Sequence, residues 1–392
     1  MHIKRFLHNL LSSTIHGKRF NTLNLFINAL LREKKLSLTQ LGRALKNKAQ
    51  EKNNIKRCDR FLGNKNLHGE RFSIYQKTAH RLIGTNSRPI ILVDWSHVPN
   101  TTHYLLRASL VAKGRALSVY EEVFPRQYEN SDKAHHLFLQ NLKQVLPETS
   151  LPILVTDAGF YNSWFRLVLK QGWDYVGRIR GNICYRLDTH TYWEYYCDSK
   201  EKATEQGQSL GWGIVSKTDP IETFLYLIKL SGKKRTRFNK YKKKAQSKKD
   251  KVYSKSANEP WLLASSLNNT ETSFNPFSIY FKRMQIEQNF RDLKSSQYGF
   301  SFEHAYSKSI ERIQVLLMIA MLATLIAYLT GFVAENKRWH LSFQANTSQK
   351  KRVLSLFYLG CRIIQRKFKY RIDYDKAVEA LQIEILVAGR EL

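Results

Sequence analysis

Acidic residues are scarce in this chain. Its 392 residues carry 32 Asp and Glu against 64 Lys and Arg, a formal net charge of +32. An imbalance of this size points to a polyanionic partner, nucleic acid first and an anionic membrane surface second. Cysteine is also sparse. Cys58, Cys184, Cys197 and Cys361 form no C-x-x-C pair, which argues for free thiols in a reducing, cytoplasmic setting. The N-terminal run Phe6–Ile15 is broken by His8, Asn9, Ser12, Ser13 and Thr14, and so lacks the apolar stretch of a secretion signal. No internal repeat is visible. Charge is missing altogether from Val315 to Ala334, a run long enough to cross a membrane. It is single and flanked by basic residues on both sides, and a helix buried in a globular core is expected there.

With 43% hydrophobic residues the chain is globular, and its length suits two or three domains. Residues 1–85 read as all-helical. Asn21–Leu31 is amphipathic, Ser37 can cap a helix through Leu45, and Asn54–Leu62 is a basic helix closed by Gly63. Helix, short break, basic helix is the outline of a DNA reader, and Lys52, Lys56, Arg57 and Arg60 would face DNA. Any small helical bundle has a similar outline.

From Pro89 the texture changes. Pro89–Asp94 is a continuous apolar run ending in an acid, as expected of a strand buried on both faces. Tyr104–Val111 and Ala116–Phe124 read as a hairpin, and Ser131–Val145 as a helix. Leu151–Asp157 repeats the strand-ending acid. Tyr161–Gln171 then reads as a helix and Trp173–Ile179 as a strand. A single Asp at a strand end is more simply a turn cap. Two such strands in one α/β domain point to a site, since sites form at that end of open sheets.

Residues 180–258 break the α/β rhythm and read as a mainly β insertion. Within it, Lys233–Lys255 holds twelve Lys and Arg and one acid, Asp250. That tract cannot build a core, and with Tyr241 and Tyr253 interleaved it reads as a phosphate clamp. Pro260–Ser266 resumes the sheet. Residues 331–392 read as a helical, basic C-terminal region suited to dimerisation or DNA contact.

Tyr280–Lys294 has no Gly or Pro and reads as one helix, with Asn275 and Pro276 at its start. On a helical wheel Tyr280, Arg283, Glu287, Arg291 and Lys294 fall within about 80° of arc. One acid thus sits among three cations and a phenol. Read alone, this is more simply a solvated basic face with one salt bridge. With Asp94 and Asp157 it becomes a third carboxylate. Clustered acids repel unless divalent cations neutralise them, and oxygen ligands without nearby Cys or His select Mg²⁺ or Mn²⁺. Two such ions roughly 3.5–4 Å apart can drive in-line phosphoryl displacement.

The spacing Tyr280-x2-Arg283-x3-Glu287-x6-Lys294 resembles the Y-R-E-K motif of bacterial insertion-sequence DDE transposases. The segments Val93-Asp-Trp-Ser, Val155-Thr-Asp-Ala-Gly-Phe and Lys282-Arg-Met-Gln-Ile-Glu are similar to the cut-and-paste branch represented by the insertion sequence of the tetracycline transposon. The likeness spans roughly residues 20 to 360. It implies a ribonuclease-H-like catalytic core over 86–330, interrupted by the β insertion, between the helical DNA-binding domain and the helical C-terminal region. The spacing agrees, with 130 residues from Asp157 to Glu287 against 63 from Asp94 to Asp157.

By the same resemblance, Asp94, Asp157 and Glu287 bind two Mg²⁺ ions, with Mn²⁺ as substitute. Tyr280, Arg283 and Lys294 contact DNA near the scissile phosphate, and Arg291 on the same face is a further candidate. Trp261 takes the place of an aromatic that stacks a flipped base; read without the family it is a core strand residue. The implied activity is excision through a hairpin intermediate and insertion into target DNA. The partners are double-stranded terminal inverted repeats and target DNA, within a homodimer and without a membrane, in the bacterial nucleoid. A cleavage-inactive DNA-binding repressor on the same fold is the alternative.

Overall fold

The structure, a computed structural model, describes residues 2–230, 259–268, 275–349, 351–366 and 371–390. The basic tract at 233–255 lies outside the described residues. The chain forms two units, one from Met1–Pro152 with Lys282–Gly389, the other from Ile153–Phe281 with Arg390–Leu392.

The first unit opens with helices α1 (His2–Leu11), α2 (Gly17–Glu33), α3 (Leu38–Arg43), α4 (Glu51–Leu62) and α5 (Lys65–Ile83). Ser37 stands at the start of α3 but its side chain makes no capping bond. Helices α3 and α4 meet at Gly42, where a Cβ would lie 2.7 Å from the Ile55 Cα. Glycine is the residue that lets the two backbones approach so closely. Strands β1 (Ile90–His97), β2 (His103–Val111) and β3 (Ala116–Pro125) then form an antiparallel meander in the order β3-β2-β1. The β2–β3 turn uses Gly114 at φ +67°. Helix α6 (Asp132–Val145) follows, its Ser131 hydroxyl accepting the Ala134 N–H at 3.2 Å. Strand β1 continues three residues past Asp94, so this acid lies within the strand rather than at its end.

The second unit holds β4 (Ile153–Thr156), α7 (Asn162–Lys170), β5 (Asp174–Ile179), β6 (Cys184–Leu187), β7 (Glu194–Tyr195), β8 (Gln208–Val215), β9 (Ile221–Ile228), β10 (Trp261–Ser265) and α8 (Pro276–Phe281). Their sheet order is β4-β5-β10-β9-β8-β6-β7. Strands β4 and β5 are parallel and joined through α7, as their short apolar runs predict. The strands of the β insertion do not stand apart from this sheet. They extend it, because β10 pairs with β5 on one side and with β9 on the other. Leu262, Leu263 and Ala264 of β10 are fully buried, as a central strand requires.

The chain returns to the first unit with α9 (Met284–Lys294), α10 (Ile310–Asn336), α11 (Leu356–Gln365) and α12 (Tyr374–Arg390). The uncharged run is the middle of α10. Within the protein, 94% of its most apolar window is buried. Helices α2, α5 and α11 and strand β3 pack around it.

One expectation needs correction. Tyr280–Lys294 is not a single helix but α8 and α9, broken at Lys282–Arg283. There the Gln285 and Ile286 amides bond three residues back, to Lys282 O at 2.8 Å and Arg283 O at 3.1 Å. No Gly or Pro marks the break. Packing overrides propensity, since Tyr280 is drawn into the second unit's interior at 3% exposure.

Candidate active site

Asp94 sits in β1 with its side chain half-buried, after three fully buried residues, Ile91, Leu92 and Val93. Glu287 lies in the first turn of α9 and is exposed. Its Oε1 takes an ion pair from Arg283, one helical turn earlier, at 2.6 Å. Lys294 ends the same helix. Its Nζ donates to the Ser96 hydroxyl at 2.7 Å and to the His97 carbonyl. The motif helix is therefore tied to the strand that carries Asp94, two residues from that acid.

Burial pushes the Lys294 ammonium down to about 8, the Arg107 charge adds to the fall, and Asp94 opposes it. An anion arriving beside this lysine restores its full charge. The depressed value also sets a pH dependence of stability. The unfolded lysine keeps its proton up to about 10.4, so between pH 8 and that value the unfolded chain binds more protons. Stability of the wild type relative to Lys294→Met should rise across that window, by on the order of 2 kcal/mol. Denaturant midpoints of the two proteins between pH 7.5 and 10.5 measure it, and parallel curves would contradict the buried placement.

Arg291 follows Glu287 by one turn of the same helix. It lines a cavity of about 510 Å³ with Arg115, Tyr298, Arg352 and Tyr358, and its guanidinium lies 5.9 Å from the Tyr298 ring. Of the N-terminal candidates, Lys52, Lys56 and Arg60 are exposed one turn apart on α4. Arg57 turns inward and donates to the Thr22 hydroxyl at 3.1 Å.

The second unit holds the other candidates. Asp157 follows β4 directly, half-buried, and its Oδ1 accepts the Gly159 N–H at 2.8 Å. This is the turn-capping arrangement, and it uses one carboxylate oxygen. Trp261 begins β10 and is half-buried. Tyr280 meets its ring edge-on at 5.1 Å and 76°, and Phe281 lies 5.6 Å away. The Arg178 guanidinium stands 5.7 Å over the same ring. Tyr280 thus joins Trp261 within one unit, not the α9 face on which the wheel placed it.

Among the described residues, no three His, Cys, Asp or Glu side chains stand together as metal ligands. Within the first unit the donors are oxygen-only, Asp94 and Glu287, with Arg283 paired to one and Lys294 within electrostatic reach of the other. Carboxylate oxygens are the donor type that a hard dication takes.

Reading along the sequence missed the polar layer beneath these acids. Arg107 is the register partner of Asp94 on β2, and Glu121 is the partner of Arg107 on β3. Both are buried, at 3% and 1% exposure, and pair at 3.0 Å. The available signal was a charge in the middle of each of two apolar strands, which is costly unless partnered.

The sequence profile of the Transposase DDE domain family matches residues 85–326, which is more than half of the chain. The chain belongs to this family of DNA transposases, metal-dependent enzymes of DNA transposition. No curated protein matches the sequence. Among solved structures, a cryo-EM structure of a piggyBac transposase synaptic complex with hairpin DNA is similar over 98% of this chain and 81% of that one, at 10% identity and a TM-score of 0.41.

Proposed function

We propose that this chain is a cut-and-paste transposase of the bacterial Y-R-E-K group, with a ribonuclease-H-like core. It binds terminal inverted repeats, excises its element through a hairpin intermediate, and joins the 3′ ends to target DNA. The observation that carries this reading is the bonding of the motif lysine, Lys294, to Ser96 beside Asp94.

In this reading Asp94 and Glu287 hold Mg²⁺, and the motif carries Asp157 over as the third ligand. Two such ions, when bound, activate the attacking oxygen and stabilise the leaving one. The protein's own groups do the positioning. Arg283, released from Glu287, offers a planar fork to a phosphate. Lys294 places a point charge beside the strand of Asp94. Trp261 offers a face for an unpaired base, a contact worth about 1–3 kcal/mol, and Tyr280 braces that ring. Lys56 and Arg60 on α4 supply end-binding charge, and Arg291, one turn after Glu287 but not part of the motif, a further contact. Two copies pair two element ends.

The test combines the purified chain with Mg²⁺ and a plasmid carrying the inverted repeats that flank its coding region. Double-strand breaks at the repeat ends, with hairpin termini on denaturing gels, are the expected result. Binding without cleavage would favour the repressor alternative.

A further inference from the structure

A helix laid on a sheet normally buries an apolar stripe. Helix α9 buries one, Ile286, Phe290 and Leu293, but a second stripe beside it is polar. Gln285, Asn289 and Asp292 follow one another at four- and three-residue spacing. Asn289 and Asp292 are each only 4% exposed. All three are bonded to the β2–β3 hairpin. The Gln285 Oε1 accepts the Ala112 N–H at 3.4 Å. The Asp292 carboxylate takes Arg115 at 2.7 Å. Asn289 is the centre: its Nδ2 donates to the Ala116 carbonyl at 3.0 Å, and its Oδ1 accepts from Arg107 and, at 3.4 Å, from the Ser118 hydroxyl.

Arg107 reaches Asn289 from the middle of β2, with the Phe290 ring 4.7 Å from its guanidinium. Its Nε contact to Glu121 is an ion pair without the alignment of a hydrogen bond, and among the described residues neither Glu121 oxygen has a hydrogen-bond partner. A fully buried pair of this kind contributes little net stability. What it supplies is direction. Apolar side chains tolerate small slips along a helix axis, whereas a hydrogen-bonded fork does not.

Resting on the function proposed above, we infer that Arg107, acting through Asn289, is a positioning residue for the metal-binding acids. It fixes α9 in axial register on the strands, so that Glu287 stands at a set distance from Asp94, the cross-strand neighbour of Arg107. Partners of this kind behind metal ligands typically alter metal affinity or activity by about 10–100-fold.

The test uses the full chain bound to end DNA, with Mn²⁺ as the probe. The double variant R107M/E121M replaces the buried pair by apolar side chains of similar length. Its denaturation midpoint should stay near wild type and its affinity for ends should be unchanged. The single-turnover cleavage rate and the Mn²⁺ affinity, followed by electron paramagnetic resonance, should each fall about 10–100-fold. A folded double variant with wild-type rate and Mn²⁺ affinity overturns the inference. Should that variant not fold, Asn289→Ala leaves the Arg107–Glu121 pair whole and carries the same two readouts, with wild-type values again overturning it. Failure of the functional reading looks different, since the unaltered chain would then neither cut end DNA nor hold Mn²⁺ with it, and both proposals would fall.

Discussion

Glu287→Gln should abolish DNA strand cleavage while leaving fold and end binding almost unchanged. The side chain is 44% exposed and forms a surface ion pair with Arg283. Exposed pairs of this kind are worth about 0–1 kcal/mol, so the denaturation midpoint should hardly move. Removing a carboxylate charge beside DNA does not weaken phosphate binding. Metal-assisted charge stabilisation is worth several kcal/mol, so loss of a ligand should lower the cleavage rate by roughly 10³-fold or more. Asp94→Asn should behave alike, since the amide keeps the volume but not the charge. Gel-shift titration, thermal denaturation and plasmid cleavage on one preparation separate the three effects. Cleavage within tenfold of wild type at ordinary Mg²⁺ would remove Glu287 from the site.

The largest expected loss of stability lies where α10 crosses α11. A Cβ at Gly360 would stand 1.7 Å from the Ala327 carbonyl oxygen, and one at Gly331 would stand 1.9 Å from that of Leu356. Both obstacles are backbone, so no rotamer change relieves them. Overpacking a core ordinarily costs about 1–3 kcal/mol. Here the helices must separate and strip contacts from Leu359 and Ile363, which pack with Ala334, so Gly360→Ala should exceed that range. Gly360→Leu should leave no folded first unit. Gly69 is the control. It lies inside α5 with nothing within 4 Å of its would-be Cβ. Gly69→Ala should therefore stabilise by roughly 0.5–1 kcal/mol. Denaturant midpoints of both variants decide the matter. Equal, small effects would mean that α10 and α11 do not touch backbone to backbone.

Much of the fold was legible along the chain, for a local reason. Apolar runs such as Ile90–Val93 and Ile153–Val155, the Gly114 turn and the Ser131 cap act through near neighbours. The strands and helices they predict are present, with β1 running three residues past Asp94. Misreadings occurred where distant segments decide. The wheel carried Tyr280 onto the face of Glu287, but the helix breaks between them because Tyr280 packs with Trp261, 19 residues earlier in the sequence. The setting of Arg57 is likewise decided at a distance, since it is half-buried and donates to Thr22 on another helix.

The candidate site divides along the same line. Asp94 and Asp157 stood out at the ends of apolar runs and Glu287 as one acid among cations, whereas the roles of Tyr280, Arg283 and Lys294 came from the resemblance to the Y-R-E-K motif. Composition set the partner: an excess of 32 positive charges is a property of the chain in any conformation. What tertiary structure alone decided is which groups answer one another. Asp94, Arg107 and Glu121 lie up to 27 residues apart yet form one row across three strands. Asn289 closes that row from a helix more than 160 residues later in the sequence. Strand register and helix docking create these pairings, and both are set by burial summed over the whole core, which no local run of sequence contains.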